Sequence, residues 1–187
     1  VSEATVDGRQ QLTTISLRGT MLRVLVETGK TPTVLFLRDT ASGVTVVSEP
    51  AENSVQRIVD VPDPAVAPSG DRLGYRFERQ PSKRRLLGRE CIDHLATASS
   101  PELSFTGCYA PWSAVGLDAV SFGRLFPSSK TMVWFPRLVL MTMTWMGVHP
   151  SFAGELPGVP LERSQLFWNG PTRKVGSRVK ELRPTAL

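Results

Sequence analysis

The chain has little of the material that enzymes use. Its 187 residues include only two histidines, two cysteines and two tyrosines. With His94 and His149 the only histidines, nucleophilic hydrolysis has few bases to draw on, and no Gly-x-Ser-x-Gly elbow is present to expose a serine. His149 precedes Pro150 in an expected loop, where an isolated histidine is more often a surface or structural residue than a base. Gly29-Lys30-Thr31 has the ending of a phosphate loop, but Val24 stands where its first glycine is required, so this stretch reads as a hairpin turn. No convincing pair of catalytic acids is found, since Asp93 and Glu102 fall on different faces or at turns. An enzyme is not expected, and neither is a cofactor. The one grouping of metal-ligand types, Cys91, Asp93, His94 and Cys108, is weak because strand alternation points His94 away from Cys91 and Asp93.

Long hydrophobic runs are also missing. The most apolar stretch, Val133 to Val148, contains Pro136 and Arg137, which leaves Leu138 to Val148 uninterrupted, well short of the ~20 residues that span a bilayer. No transmembrane segment is expected. Val1 opens directly into a polar stretch rather than a basic start and an apolar core, as in a mature or trimmed chain. The charge excess is small: 22 Lys and Arg against 17 Asp and Glu give a formal net charge of +5. That balance favours anionic partners such as lipid headgroups or acidic proteins, while nucleic acid is disfavoured because the basic residues are scattered without a recognition motif. The run Lys83, Arg84, Arg85 and Arg89 is either a solvated face beside a turn or a contact for anionic lipid.

What is present is a globular composition, 41% hydrophobic and 21% charged, of a length that fits a single domain over 1–187. Thr13, Ile15 and Leu17, then Leu22, Val24 and Val26, alternate as in half-buried strands about a turn at Gly19 and Thr20. A second pair, Thr33 to Leu37 and Val44 to Val47, is rich in β-branched residues and flanks a turn from Asp39 to Gly43. Ser54 to Val61 extends the meander into a proline-rich loop at 62–70. Beyond it the sequence predicts strands over Leu73 to Glu78 and Arg85 to Ala96, with Pro81 and Ser82 as the turn between them, and a further arm from Glu102 to Tyr109. An irregular or helical insert at 111–147 follows, in which Leu138 to Met146 reads as a helix, with a buried strand as the alternative. Strands return over Leu161 to Trp168 and Lys174 to Leu182, about a turn at Asn169-Gly170-Pro171. The expected class is α+β, mostly β and antiparallel.

The two cysteines constrain the middle of the chain. A hairpin symmetric about the bond between Ser99 and Ser100 sets Cys91 directly opposite Cys108, His94 opposite Phe105, and Ala96 opposite Leu103. Opposed residues of a non-hydrogen-bonded pair are close enough for a disulfide, whose Cα atoms lie ~4.4–6.8 Å apart. A Cys91–Cys108 bond implies an oxidising, extracytoplasmic compartment such as the periplasm. The alternative is a pair of buried thiols in a cytosolic protein.

The strand pattern of Gln10 to Leu25 and Thr33 to Val47, Leu87-Gly88-Arg89-Glu90-Cys91 opening a strand, and Gly158-Val159-Pro160-Leu161 opening the last hairpin together resemble periplasmic domains of the lipoprotein-carrier (LolA-like) superfamily. The resemblance covers most of the chain in order of pattern, although Ala110 to Val133 is longer and more irregular than the family's connection. It implies a strongly curved antiparallel sheet, an incomplete barrel whose concave face is covered by helices and holds acyl chains.

The apolar band of Phe135, Leu138, Leu140, Met141, Met143, Trp145 and Met146 has two readings. Flexible methionines beside aromatics line adaptable apolar pockets, or the segment plugs the sheet as core. As a pocket, the ligand-binding residues are Val24, Phe36, Leu140, Met143 and Trp145, and the ligand is an acyl lipid, a lipoprotein or another apolar molecule. The other expectation is a structural or assembly module of the cell envelope that binds a protein partner through the same surfaces.

Overall fold

The computed structural model describes residues 2–6, 9–29, 31–60, 75–98, 104–116, 118–127, 134, 139, 143–164 and 177–180. Within them the chain is mostly antiparallel β. The strands are β1 (Ser2–Val6), β2 (Arg9–Arg18), β3 (Met21–Thr28), β4 (Thr31–Asp39), β5 (Val44–Glu49), β6 (Ser54–Val59), β7 (Tyr75–Leu86), β8 (Arg89–Ala98), β9 (Ser104–Ala110), β10 (Val159–Arg163) and β11 (Ser177–Val179). They lie in one hydrogen-bonded order, β6-β5-β4-β3-β2-β1-β11-β10-β9-β8-β7. Two meanders, β1 to β6 and β7 to β10, are thus joined where β11 pairs with both β1 and β10. Among the described residues β6 and β7 are the edges, and the sheet does not close into a barrel.

The alternating residues of β3 and β4 show why these segments are strands. Leu22, Val24 and Val26 are buried with Val34 and Phe36, and the intervening positions face outward or are half-buried. Burial of a row with a two-residue period fixes the register, since a one-residue slip would turn the row to water. Arg38 of β4 is buried too, and it donates to Asp60 at 2.8 Å and to the Thr45 hydroxyl at 3.0 Å.

Three sequence expectations need correction. Pro81 and Ser82 do not form the turn between strands: β7 runs through them, and its pairing with β8 shifts between Arg79 and Lys83. Proline lacks the donor that a central strand needs, yet it is tolerated on an edge strand at a bulge, and β7 is an edge. The turn lies instead at Leu87 and Gly88, both at positive φ, 52° and 72°. The second correction concerns the β8–β9 register. Asp93, not Cys91, is the Cα partner of Cys108, with His94 opposite Gly107 and Ala96 opposite Phe105. The displacement is two residues, so every side chain keeps its expected face. Third, β1 was not anticipated in the polar opening stretch.

Between β9 and β10 come a 3-10 turn at Trp112–Val115 and a short helix, α1 (Ala119–Arg124). Asp118 caps α1, accepting hydrogen bonds from the Ser121 backbone N–H at 2.8 Å and its hydroxyl at 2.9 Å. In the expected helix Leu138 to Met146, Val139 and Met143 to Met146 are helical, whereas Leu138, Leu140, Met141 and Thr142 lie outside the described residues. The loop at 62–70 and the turn at Asn169-Gly170-Pro171 also lie outside them. A 3-10 segment, Pro150–Glu155, then packs against α1.

Candidate ligand-binding face

Three of the five residues expected to bind an apolar ligand come together. Val24 and Phe36 are Cα partners across β3 and β4. With Trp145 they belong to one buried cluster that includes Phe105 and Tyr109 of β9, Phe122 of α1, Met146 and Val148. Met143 is half-buried and helical; Leu140 lies outside the described residues. Among the described residues, the covering elements fill rather than skirt the sheet: Met146 and Val148 are fully buried, and Trp145 packs on Phe122 with centroids 6.0 Å apart.

Polar bonds tie the cover to the sheet at the end of β10 and at β11. Arg163, at the end of β10, donates to the Thr144 carbonyl at 2.5 Å and to the Ser164 carbonyl at 3.0 Å. Ser177 of β11 donates to the Trp145 carbonyl at 2.8 Å. Arg163 is 3% exposed, its guanidinium lies 5.6 Å from the centre of the Phe105 ring, and burial pulls its pKa down to about 10, so it remains a cation at neutral pH.

Arg163 is also one end of a row that crosses four strands. Arg79, His94, Gly107 and Arg163 are successive Cα partners on β7, β8, β9 and β10. Tyr109 leans over the glycine of this row: a Cβ at Gly107 would lie 2.8 Å from the Tyr109 hydroxyl oxygen and 2.7 Å from Cε2. Its ring meets His94 edge-on at 5.6 Å. Burial raises the Tyr109 pKa, keeping the phenol neutral with its proton to donate. Yet neither the Tyr109 hydroxyl nor Arg163 Nε has a hydrogen-bond partner among the described residues.

The sequence reading missed both residues. Strict alternation along Val159, Leu161 and Arg163 assigns Arg163 to the face of Leu161, which packs in the disulfide cluster. The pairing of β10 with β9 shifts between Pro160 and Glu162, and that bulge carries Arg163 to the face of Phe105 instead. A bulge has no reliable signature in a single sequence.

On the other face, Cys91 and Cys108 form a disulfide with Cα atoms 5.5 Å apart, packed with Ala110, Val159 and Leu161. Beside it Asp93 accepts from Arg84 at 2.7 Å and from the Ser82 hydroxyl at 2.7 Å, and Glu162 binds both Arg84 and Arg178. Burial raises the Asp93 pKa, but Arg84 and Ser82 outweigh it and hold the carboxyl below its ordinary value. His94 turns its ring to the core face, away from this network, and among the described residues no group of three or more His, Cys, Asp or Glu is placed to hold a metal. Of the run of basic residues, Lys83, Arg84 and Arg85 are exposed on β7, and Arg84 pairs with the Asp93 and Glu162 carboxylates. No described helix is long and apolar enough to cross a membrane.

Comparison with protein-family models, with curated proteins and with solved structures gives no match.

Proposed function

We propose that the chain is an extracytoplasmic, non-enzymatic binding domain of the lipoprotein-carrier type, its sheet curved into a half-barrel that holds an acyl lipid or another apolar ligand beneath the segment around Met143 and Trp145. The observation that carries this reading is the arrangement of the core. Among the described residues the sheet does not close, and its larger apolar cluster is covered by short segments of the chain where a sandwich would use a second sheet. A cover made of short pieces that include flexible methionines and aromatics can part from the sheet to admit a guest, as it must where the described cover fills the face. The disulfide favours an oxidising compartment, in keeping with the periplasm.

Native mass spectrometry with lipid extraction, on protein purified from its own cell envelope, tests the proposal. A co-purifying acyl lipid near stoichiometry, lost on Met143→Glu in a folded variant, is the expected result. Ligand-free protein that also fails to take up added lipid would refute it.

One observation favours a second reading, an assembly module that binds a protein of the envelope. Among the described residues β6 is an edge strand, and Val55 and Val59 on it are 70% and 57% exposed. Unpaired backbone beside exposed valines is a template for an added strand. A polypeptide retained by the native protein and lost on Val55→Lys with Val59→Lys, with no lipid bound, would establish that reading in place of the first.

A further inference from the structure

The core face contains a cation, Arg163, with no counter-ion among the described residues. Around Arg163 the side chains at Cα-paired positions on β8 and β9 are His94 and the bare Gly107, with Tyr109 leaning over the glycine. The carboxylates of this part of the sheet, Asp93 and Glu162, point to the disulfide face and are engaged by Arg84. Arg163 satisfies two of its five N–H groups on the Thr144 and Ser164 carbonyls. Its Nε and the Tyr109 hydroxyl, both buried, remain without partners among the described residues. Leaving these two donors unsatisfied beside a buried charge is costly, and an anion accepting from both would satisfy them together.

We infer that Arg163 and Tyr109 form an anion subsite within the apolar core, which takes the carboxylate head of a fatty acid whose tail lies along the aromatic cluster. This inference rests on the reading of the core face as the holder of an apolar ligand and adds the chemical class of its head. One carboxylate oxygen accepts from Arg163 Nε–H and the other from the Tyr109 hydroxyl, so the negative charge meets the guanidinium and both of these donors are satisfied. Beyond His94, the exposed Arg79 ends the row at the sheet edge, and its charge makes an approach from that side attractive for an acid. A neutral ester or alcohol head offers no charge to Arg163.

The test is equilibrium dialysis of the whole chain with labelled dodecanoate and with labelled 1-dodecanol, which share a tail and differ in charge. The acid is expected to bind at least about tenfold tighter, as charge-assisted hydrogen bonds allow. Tyr109→Phe should weaken dodecanoate several-fold and leave dodecanol unchanged. Arg163→Gln should remove the preference. If circular dichroism shows that Arg163→Gln does not fold, Tyr109→Phe decides the matter, because it deletes one oxygen that has no described partner. Equal affinity of the acid and the alcohol for the wild-type protein would overturn the subsite and leave the apolar ligand reading standing. Binding of neither would overturn both. If acetate protects against unfolding as well as dodecanoate does at equal concentration, the site holds a free small anion and the lipid-head assignment fails.

Discussion

Removing the Cys91–Cys108 bond tests the disulfide and the fold around it together. The bond closes a loop with a sequence separation of 17 residues. A cross-link of that span is worth about 3 kcal/mol by lost chain entropy in the unfolded state. For a chain of this size, each kcal/mol moves the melting midpoint by roughly 2–4 °C, so Cys91→Ala with Cys108→Ala should lower Tm by about 6–12 °C. Loss of the two sulfur atoms from the cluster with Ala110, Val159 and Leu161 places the effect toward the upper end. Both cysteines are fully buried, so reductant should act on the native protein only as fast as the structure opens, and reduced wild type should melt close to the variant. The assays are thermal unfolding by far-UV circular dichroism and thiol titration in denaturant without reductant. Two free thiols in that titration, or midpoints within about 2 °C of each other for oxidised and variant protein, would refute the reasoning, because the loop-closure term alone is larger than that.

Asp60→Ala should cost about 3 kcal/mol, measured by urea denaturation, since it strands the Arg38 guanidinium, 6% exposed, in the fold; a loss under ~1 kcal/mol would mean that Thr45 and Gly43 suffice for Arg38. Asp93 contributes a pH dependence of definite sign. Its folded pKa is depressed, so its stabilisation is complete above the unfolded value of ~3.9 and is lost as pH falls through the lower folded value. Urea midpoints from neutral pH down to about 2 should therefore fall more steeply for wild type than for Asp93→Asn, and parallel curves would exclude the role. Gly107→Ala should destabilise by about 1–3 kcal/mol, because its Cβ would press on the buried Tyr109 ring, and the companion Gly107→Ala with Tyr109→Ala should recover part of the clash cost in a double-mutant cycle.

Much of the sheet was legible because its signal is local. Leu22, Val24 and Val26 repeat every second residue, and Gly19 and Thr20 stand at the turn before them, so β2 and β3 follow from neighbours a few positions apart. β1 left a weaker trace. It pairs with β2 from Ser2↔Thr13 to Val6↔Arg9, and Asp7-Gly8 stands between the two in the sequence as a hairpin dipeptide, but its short, mostly polar stretch lacks the long apolar alternation of β3, and its other partner, β11, lies at the far end of the chain. The disulfide was found through a register that was wrong by two residues. It survived because a shift of two preserves the face, so both cysteines still meet on the side away from His94.

The candidate site divides along the same line. Val24, Phe36 and Trp145 were legible as apolar residues in periodic or aromatic-rich segments, and such residues mark a core whether or not it admits a guest. Arg163 and Tyr109 distinguish the two cases, and they were invisible. The bulge at Leu161 reverses the face of Arg163, and the bare backbone of Gly107 gives Tyr109 the space to lean toward it. Bulges and side-chain-free positions are backbone features that re-aim neighbouring side chains and are common beside functional sites. A sheet needing only to be packed could have set an apolar residue at position 163 and a phenylalanine at 109, without these two unsatisfied donors. Ligand-free Tyr109→Phe should therefore be as stable as wild type or more so, which is the direction expected when a group is kept for what it binds.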